Sequence, residues 1–398
     1  MREGTIMNNR LKEAADSVLT NTVAESGGAP GVVAMVTDRR ANIYEGTAGL
    51  REMGKTEPIA TDSVFAIFSC TKALTGTALM QLVEEGLVTL DDPARDYVPD
   101  IAEIQVLDGF DSNGQPKLRP PKSDITINQL MLHTAGFGYE FFSHDDLAFR
   151  TARETASVVS STYDGIKSVL LHDPGERWMY GVNLDWVGKI VEAVRGKRLG
   201  QVMQERIFNP LGMTDSAFTL TPAMRSRLAS LHTRAEDGQL APWDLVLPQP
   251  PEMDMGGHGL YGTVPDYLKF IRMILNDGEG PDGRVLNKET VEKMSRNGLA
   301  GLQSGGWTTS IPALSNSGEF FPGLKKSWGY TFQINDEPTP SGRPAGQIMW
   351  AGLANLFYWI DRQNGIGGMW ASQILPFKDI SSYPGFVDFE SSVYRYLK

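Results

Sequence analysis

Strand-like sequence occurs only at the two ends of this chain, and the stretch between them reads as helix and loop. Near the N-terminus, Gly31–Asp38 (GVVAMVTD) and Ala41–Leu50 (ANIYEGTAGL) are two strand-like runs joined by a short turn, which predicts a hairpin. Beyond Gly323, the segments Ser327–Ile334, Gln347–Gly352, Asn355–Asp361 and Ile366–Ser372 are short aromatic and β-branched runs divided by turn residues, the pattern of a largely antiparallel sheet. An economical arrangement lets both ends share one sheet, with the intervening helical region inserted as a lobe and a cleft left at the junction. The expectation is therefore an α+β fold, with residues 1–90 and 255–398 forming one domain and residues 91–254 a mostly helical second one.

The helical signals are specific. Residues from about 8 to 25 read as a helix, and so does Val387–Tyr396 near the end. From Thr71 to Glu85, apolar residues recur four apart and Gly86 stops the pattern where a C′ glycine belongs. Leu184–Val194 carries one apolar face, with Asn183 placed to cap it. Gln115–Pro121 reads as a proline-bearing loop, and Pro248–Glu252 marks the return from the lobe.

At 398 residues, 41% hydrophobic and 21% charged, the chain has ample length for a self-sufficient core. Its 48 acidic residues outnumber 37 basic ones, and a net charge of −11 repels phosphate backbones and anionic lipid surfaces. Neither nucleic acid nor membrane is an expected partner. The single cysteine, Cys70, excludes an intramolecular disulfide and any CxxC site. The polar opening sequence lacks the apolar core of a secretory signal, and no apolar run approaches the ~20 residues of a spanning helix. The expected location is cytoplasmic.

The sharpest chemical signal is Ser69-Cys70-Thr71-Lys72, where a strand-like run gives way to the Thr71 helix. A three-residue spacing along a helix places Lys72 on the same face as Ser69. Free N–H groups and the positive end of the dipole at a helix start favour an oxyanion there. The plainer alternative makes Ser69 an N-cap and Lys72 a surface residue. Lysine is a poor base near its ordinary pKa of ~10.4, so the site needs an environment that lowers it or a neighbouring group to couple to it. Tyr180 stands on a loop directly before a helix, where it can project into a cleft or simply pack. Trp350-Ala351-Gly352 ends a strand; its glycine permits close approach at the strand edge, and the following N–H, of Leu353, can face the cleft.

Taken in order, the S-x-x-K, the tyrosine after a P-G turn and the late strand motif ending in glycine resemble the β-lactamase-like serine hydrolases. Within that superfamily the chain is most similar to family VIII carboxylesterases and also to the related fungal acyltransferases of statin precursors. Ile125–Gly136 (ITINQLMLHTAG), Asn209–Phe218 (NPLGMTDSAF) and Gly256–Phe270 resemble further motifs of the superfamily. The resemblance implies a penicillin-binding-protein-like fold, Ser69 as the acylated nucleophile and Lys72 with Tyr180 as paired acid–base groups. It also implies an oxyanion hole from the backbone N–H groups of Ser69 and Leu353, and no cofactor or metal. Trp350, Gly352, Val182, Asn183 and His258 are the expected substrate contacts.

Two departures bear on the substrate. Penicillin-recognising relatives usually carry K-T-G where this chain has Trp350-Ala351-Gly352, which offers a carboxylate no positive charge. They also tend to place asparagine two residues after the tyrosine, a position held here by Val182, with Asn183 one later. Both favour neutral acyl esters over β-lactams, with slow turnover of some β-lactams compatible. The expected activity is a short-chain carboxylesterase acting on a small-molecule ester. The alternatives are an acyltransferase serving a bulky alcohol and a non-catalytic sensor of the same fold.

Other signals carry less. Gly257-His258-Gly259-Leu260-Tyr261-Gly262 matches G-x-G-x-x-G but opens no convincing βαβ unit. No G-x-S-x-G elbow is present, which excludes an α/β-hydrolase. The five histidines show no metal-ligand spacing. Cys70 points about 100° away from Ser69 on a helix and reads as a packed thiol. Phe137, Tyr139, Phe141, Phe142, Trp328, Phe357 and Trp370 are candidates for an apolar acyl pocket, or for ordinary core.

Overall fold

In the computed structural model, residues 2–24 and 27–397 are described. Met1, Ser26 and Lys398 lie outside that range, as does Glu25, the last residue of the expected first helix. That helix, α1, spans Arg2–Ala24. The N-terminal hairpin forms as β1 (Gly31–Asp38) and β2 (Asn42–Gly49). A short strand β3 (Val64–Ala66), paired with a later strand β4 (Tyr261–Thr263), follows, then the helix α2 (Thr71–Glu84), which Gly86 ends at φ +69° as the C′ position requires.

The run at Ser327–Ile334 is not one strand. It divides into β5 (Lys326–Trp328) and β6 (Gln333–Asn335), because the chain turns at Gly329, whose N–H donates to Phe332 O at 2.8 Å. A β-carbon on Gly329 would sit 2.2 Å from Met294 O, so only glycine fits this turn. The strands β7 (Gln347–Gly352), β8 (Leu356–Asp361) and β9 (Ile366–Ala371) stand where expected. The two chain ends do share one sheet of seven strands, in the order β5-β6-β7-β8-β9-β1-β2, antiparallel at every junction. The closing pair sets Val33 opposite Ala371 and Asp38 opposite Ile366.

Helices cover both faces of this sheet. α1 packs with the C-terminal helix α5 (Ser382–Tyr396), and a helix α4 (Val264–Leu275) lies against β1 and β9. Strands buried on both faces have no solvent side, and β7, β8 and β9 are accordingly buried at every position. The inserted segment is mainly helical, and its longest helix, α3, spans Asn183–Arg195. It also carries two hairpins that periodicity does not reveal. One contains Pro116–Arg119, within the expected loop; the other contains Leu231–Arg234, which pairs in parallel with Ile374–Leu375. Such four-residue strands are too short to show an alternation of their own. Among the described residues, no helix is long and apolar enough to cross a membrane.

Candidate active site

Ser69 sits in a 3-10 turn, Phe68–Cys70, that feeds α2. Its side chain caps nothing: the residue before α2 is Cys70, and no side-chain cap bond is formed there. Phe68, directly before the serine, adopts φ +43°, a costly left-handed conformation for an aromatic residue. Backbone and side-chain bonds hold the turn, with Ile67 N donating to Leu260 O (3.0 Å) and Tyr267 Oη to Cys70 O (2.9 Å). Around it, Ile67, Phe68 and Cys70 are buried while Ser69 stays partly open. Burial drives the Cys70 thiol far above its ordinary pKa, which keeps it protonated and inert.

Gly352, at the end of β7, is required by this turn. A β-carbon there would lie 2.4 Å from Ile67 O. The absence of a side chain lets the strand end abut the serine turn, which brings Leu353 to the same cleft as Ser69.

Lys72 is completely buried on the first turn of α2. Its Nζ donates to Ser69 Oγ (3.2 Å), Tyr139 Oη (2.9 Å) and Gly257 O (2.7 Å). Desolvation lowers its pKa to about 7, against the opposing pull of Asp185. Burial in turn raises Asp185 to about 6, and Lys72 restrains that rise. The Gly257 peptide joins the two groups: its N–H donates to Asp185 Oδ1 (2.8 Å) and its carbonyl receives Lys72. A neutral amine in this position has two N–H bonds for Gly257 O and Tyr139 Oη, which leaves its lone pair for the Ser69 hydroxyl.

Tyr180 reaches the same place from a pinned loop. Arg119 holds Asp173 with two bonds of 2.9 and 2.7 Å, Met179 N donates to His133 O (2.8 Å), and Gly181 lies so close to Phe137 O that a β-carbon would stand 2.2 Å away. Trp350 Nε1 donates to the Tyr180 hydroxyl at 3.0 Å. Burial raises the Tyr180 pKa, while hydrogen bonding from Ser69 and Trp350 opposes the rise. Lys72 Nζ lies over the Tyr180 ring, 4.7 Å from its centroid, and not at its hydroxyl. The phenol hydrogen-bonded to the lysine is therefore Tyr139, whose own pKa burial raises well above the ordinary value.

Ser69, Lys72 and Tyr180 thus converge, and Tyr139, which the sequence offers only as a pocket wall or as core, joins them through its bond to Lys72. Its signal was position: it follows the His133-Thr134-Ala135-Gly136 motif by three residues. Trp350, Gly352, Leu353 and His258 line the cleft as expected. Val182 and Asn183 do not. Val182 packs in the core ahead of α3, and Asn183 is the first residue of that helix rather than its cap. The Asn183 side chain turns inward to pair its Nδ2 with His133 Nδ1 (2.9 Å), and the His133 ring packs on Tyr180 at 4.8 Å. Both residues follow a pinned loop, which points them away from the opening. Of the candidate wall aromatics, Tyr139, Phe141 and Phe142 line the cleft, whereas Phe137, Trp328, Phe357 and Trp370 are buried behind it. Gly256 and Gly257 owe their place to packing against Leu184 O and Asp185 Oδ2, approached within 2.5 and 2.4 Å by a β-carbon built there.

The cleft has about 630 Å³ of space, open solvent at its mouth included, and among the described residues its lining holds neither arginine nor lysine. A serine hydroxyl hydrogen-bonded to a desolvated lysine, on this sheet-and-helix frame, goes with the class the comparisons define: enzymes of the serine hydrolase and acyltransferase group, acting on acyl esters and built on the β-lactamase and penicillin-binding-protein fold. Residues 15–382 match the Beta-lactamase family, and the chain belongs to it. It is 32% identical over 369 residues to monacolin J acid methylbutanoyltransferase of Aspergillus terreus, covering 88% of each chain. It is 31% identical over 374 residues to lovastatin esterase of Penicillium rubens, covering 88% of this chain and 91% of that one. Unliganded simvastatin synthase from Aspergillus terreus superimposes with a TM-score of 0.81 at 28% identity, over 99% of this chain and 98% of the other.

Proposed function

We propose that the protein is a serine carboxylesterase that cleaves uncharged esters of short acyl groups through an acyl-enzyme on Ser69. The observation that carries this reading is Lys72 Nζ at 3.2 Å from Ser69 Oγ, buried and depressed in pKa, beneath an apolar cleft. Lys72, its charge balance tuned by Asp185, takes the Ser69 proton as Oγ attacks the ester carbonyl carbon. The tetrahedral oxyanion lies against the backbone N–H groups of Ser69 and Leu353. The proton that Lys72 took from Ser69 goes to the departing alcohol, whose oxygen Tyr180, bonded to Trp350, steadies with its own O–H. Lys72 and the two phenols act as one proton reservoir, so no single member holds a private pKa. Water then attacks the acyl carbon and regenerates Ser69.

The lining offers an anionic β-lactam no counter-charge, so p-nitrophenyl esters of short acids are the expected better substrates. A second reading, transfer of the acyl group to an alcohol, is favoured by the similarity to a protein named as a methylbutanoyltransferase. Labelling by a fluorophosphonate tests the common step. Modification of Ser69, abolished in Ser69→Ala along with ester turnover, is the expected result. A Ser69→Ala protein that still turns over esters overturns the assignment, and a wild-type protein that neither labels nor turns over is a binding protein.

A further inference from the structure

Two side-chain polar atoms on residues lining the cleft make no hydrogen bond to the protein: Trp178 Nε1 and His258 Nε2. They differ in what they can do. The indole only donates, whereas a neutral imidazole nitrogen accepts when its partner nitrogen carries the proton. His258 is 5% exposed, too buried for bulk solvent to satisfy it, and a buried polar atom left unpaired is costly. Its Nδ1 faces Asp185 Oδ1 at 3.9 Å, and the negative potential of that carboxylate favours the proton on Nδ1, which leaves the Nε2 lone pair free. Burial and the nearby Lys72 ammonium hold its pKa down to about 3, so it stays neutral across the working range. The preceding residue, Gly257, gives its carbonyl to Lys72 Nζ, which sets His258 beside the base.

We propose that His258 Nε2 holds the attacking water of deacylation and thereby favours hydrolysis over transfer to an alcohol. The inference rests on the acyl-enzyme reading above. The proton count supplies the selectivity. Water has two protons: one passes to Lys72 as the water oxygen bonds to the acyl carbon, while the other stays on that oxygen, donated to His258 Nε2. The bond from the acyl carbon to Ser69 Oγ then breaks, the proton on Lys72 passes to Oγ, and the retained proton leaves on the carboxylic acid. An alcohol has a single hydroxyl proton, and the base must take it. His258 therefore gives an attacking alcohol no comparable hold.

The test uses p-nitrophenyl butyrate with and without 1-butanol, reading the p-nitrophenol burst, free butyric acid and butyl butyrate. In His258→Leu, the burst is expected to persist while acid release falls about tenfold, the worth of one hydrogen bond, so the ester-to-acid ratio rises by that factor. His258→Gln, whose Oε1 reaches near the Nε2 position and accepts, is expected to restore most of the hydrolysis. An unchanged ester-to-acid ratio in His258→Leu with the burst intact overturns the proposal. Should the leucine variant fail to fold, His258→Asn, too short to reach, takes its place against His258→Gln, and equal ratios in the two overturn it. A wild-type protein with neither a burst nor label on Ser69 removes the acyl-enzyme reading itself, and this inference with it.

Discussion

Among the described residues, Lys72 has no carboxylate partner at bonding distance; its charge is governed by burial and by Asp185 beyond Gly257. The direction of that balance fixes the pH response. The unprotonated amine is the active form, so kcat/KM should rise with pH through a limb near 7, far below a free lysine at ~10.4. Asp185 favours the protonated form, and Asp185→Asn should move the limb to lower pH; a limb that stays in place or moves upward would mean the carboxylate acts otherwise. Tyr139→Phe removes the hydroxyl that orients the amine and should lower kcat by roughly 10²-fold. Combined with Tyr180→Phe, the loss should fall well short of the product of the two single losses, because both phenols serve the same proton transfer. Steady-state kinetics on the double-mutant cycle measures this.

At the scale of the element, the serine turn and the end of β7 depend on one missing side chain. Gly352→Ala forces a β-carbon against Ile67 O, and overpacking of this kind costs about 1–3 kcal/mol. The variant should unfold at lower denaturant and lose activity more than tenfold per folded molecule, as Leu353 is displaced from Ser69; urea unfolding and burst titration separate the two effects. The same element shows what the sequence discloses. β7, β8 and β9 were legible because apolar runs bounded by turn residues have one reading when both faces are covered. The S-x-x-K helix and Tyr180 were legible because residue type and order carried them. The division of Ser327–Ile334 was hidden: Tyr330 and Phe332 continue the aromatic texture through the turn, and only Gly329 marks it. Tyr139 was hidden for a related reason, since a phenol in a run of aromatics looks the same whether its hydroxyl meets an amine or a carbonyl. Asn183 looked like a cap because sequence spacing cannot show that His133 competes for its amide.

The molecule as a whole is tied through its last helix. Arg343, in the connection between β6 and β7, and Glu390, on α5, are completely buried and meet at 2.9 Å. Glu390→Ala strands a buried guanidinium and should destabilise the protein by about 3–5 kcal/mol while leaving kcat per folded molecule unchanged. Equilibrium unfolding monitored beside active-site titration checks both halves of that expectation.

The pairing of β1 with β9 has a consequence for biogenesis. Val33 leaves the ribosome long before Ala371, so the two cannot meet until everything between them has been made. Until then the interior strand Gly31–Asp38 has β2 on one side and an unsatisfied edge on the other, the kind of surface that recruits chaperones or neighbouring nascent chains. Translation arrested before Ile366 should therefore yield aggregates instead of a smaller folded protein.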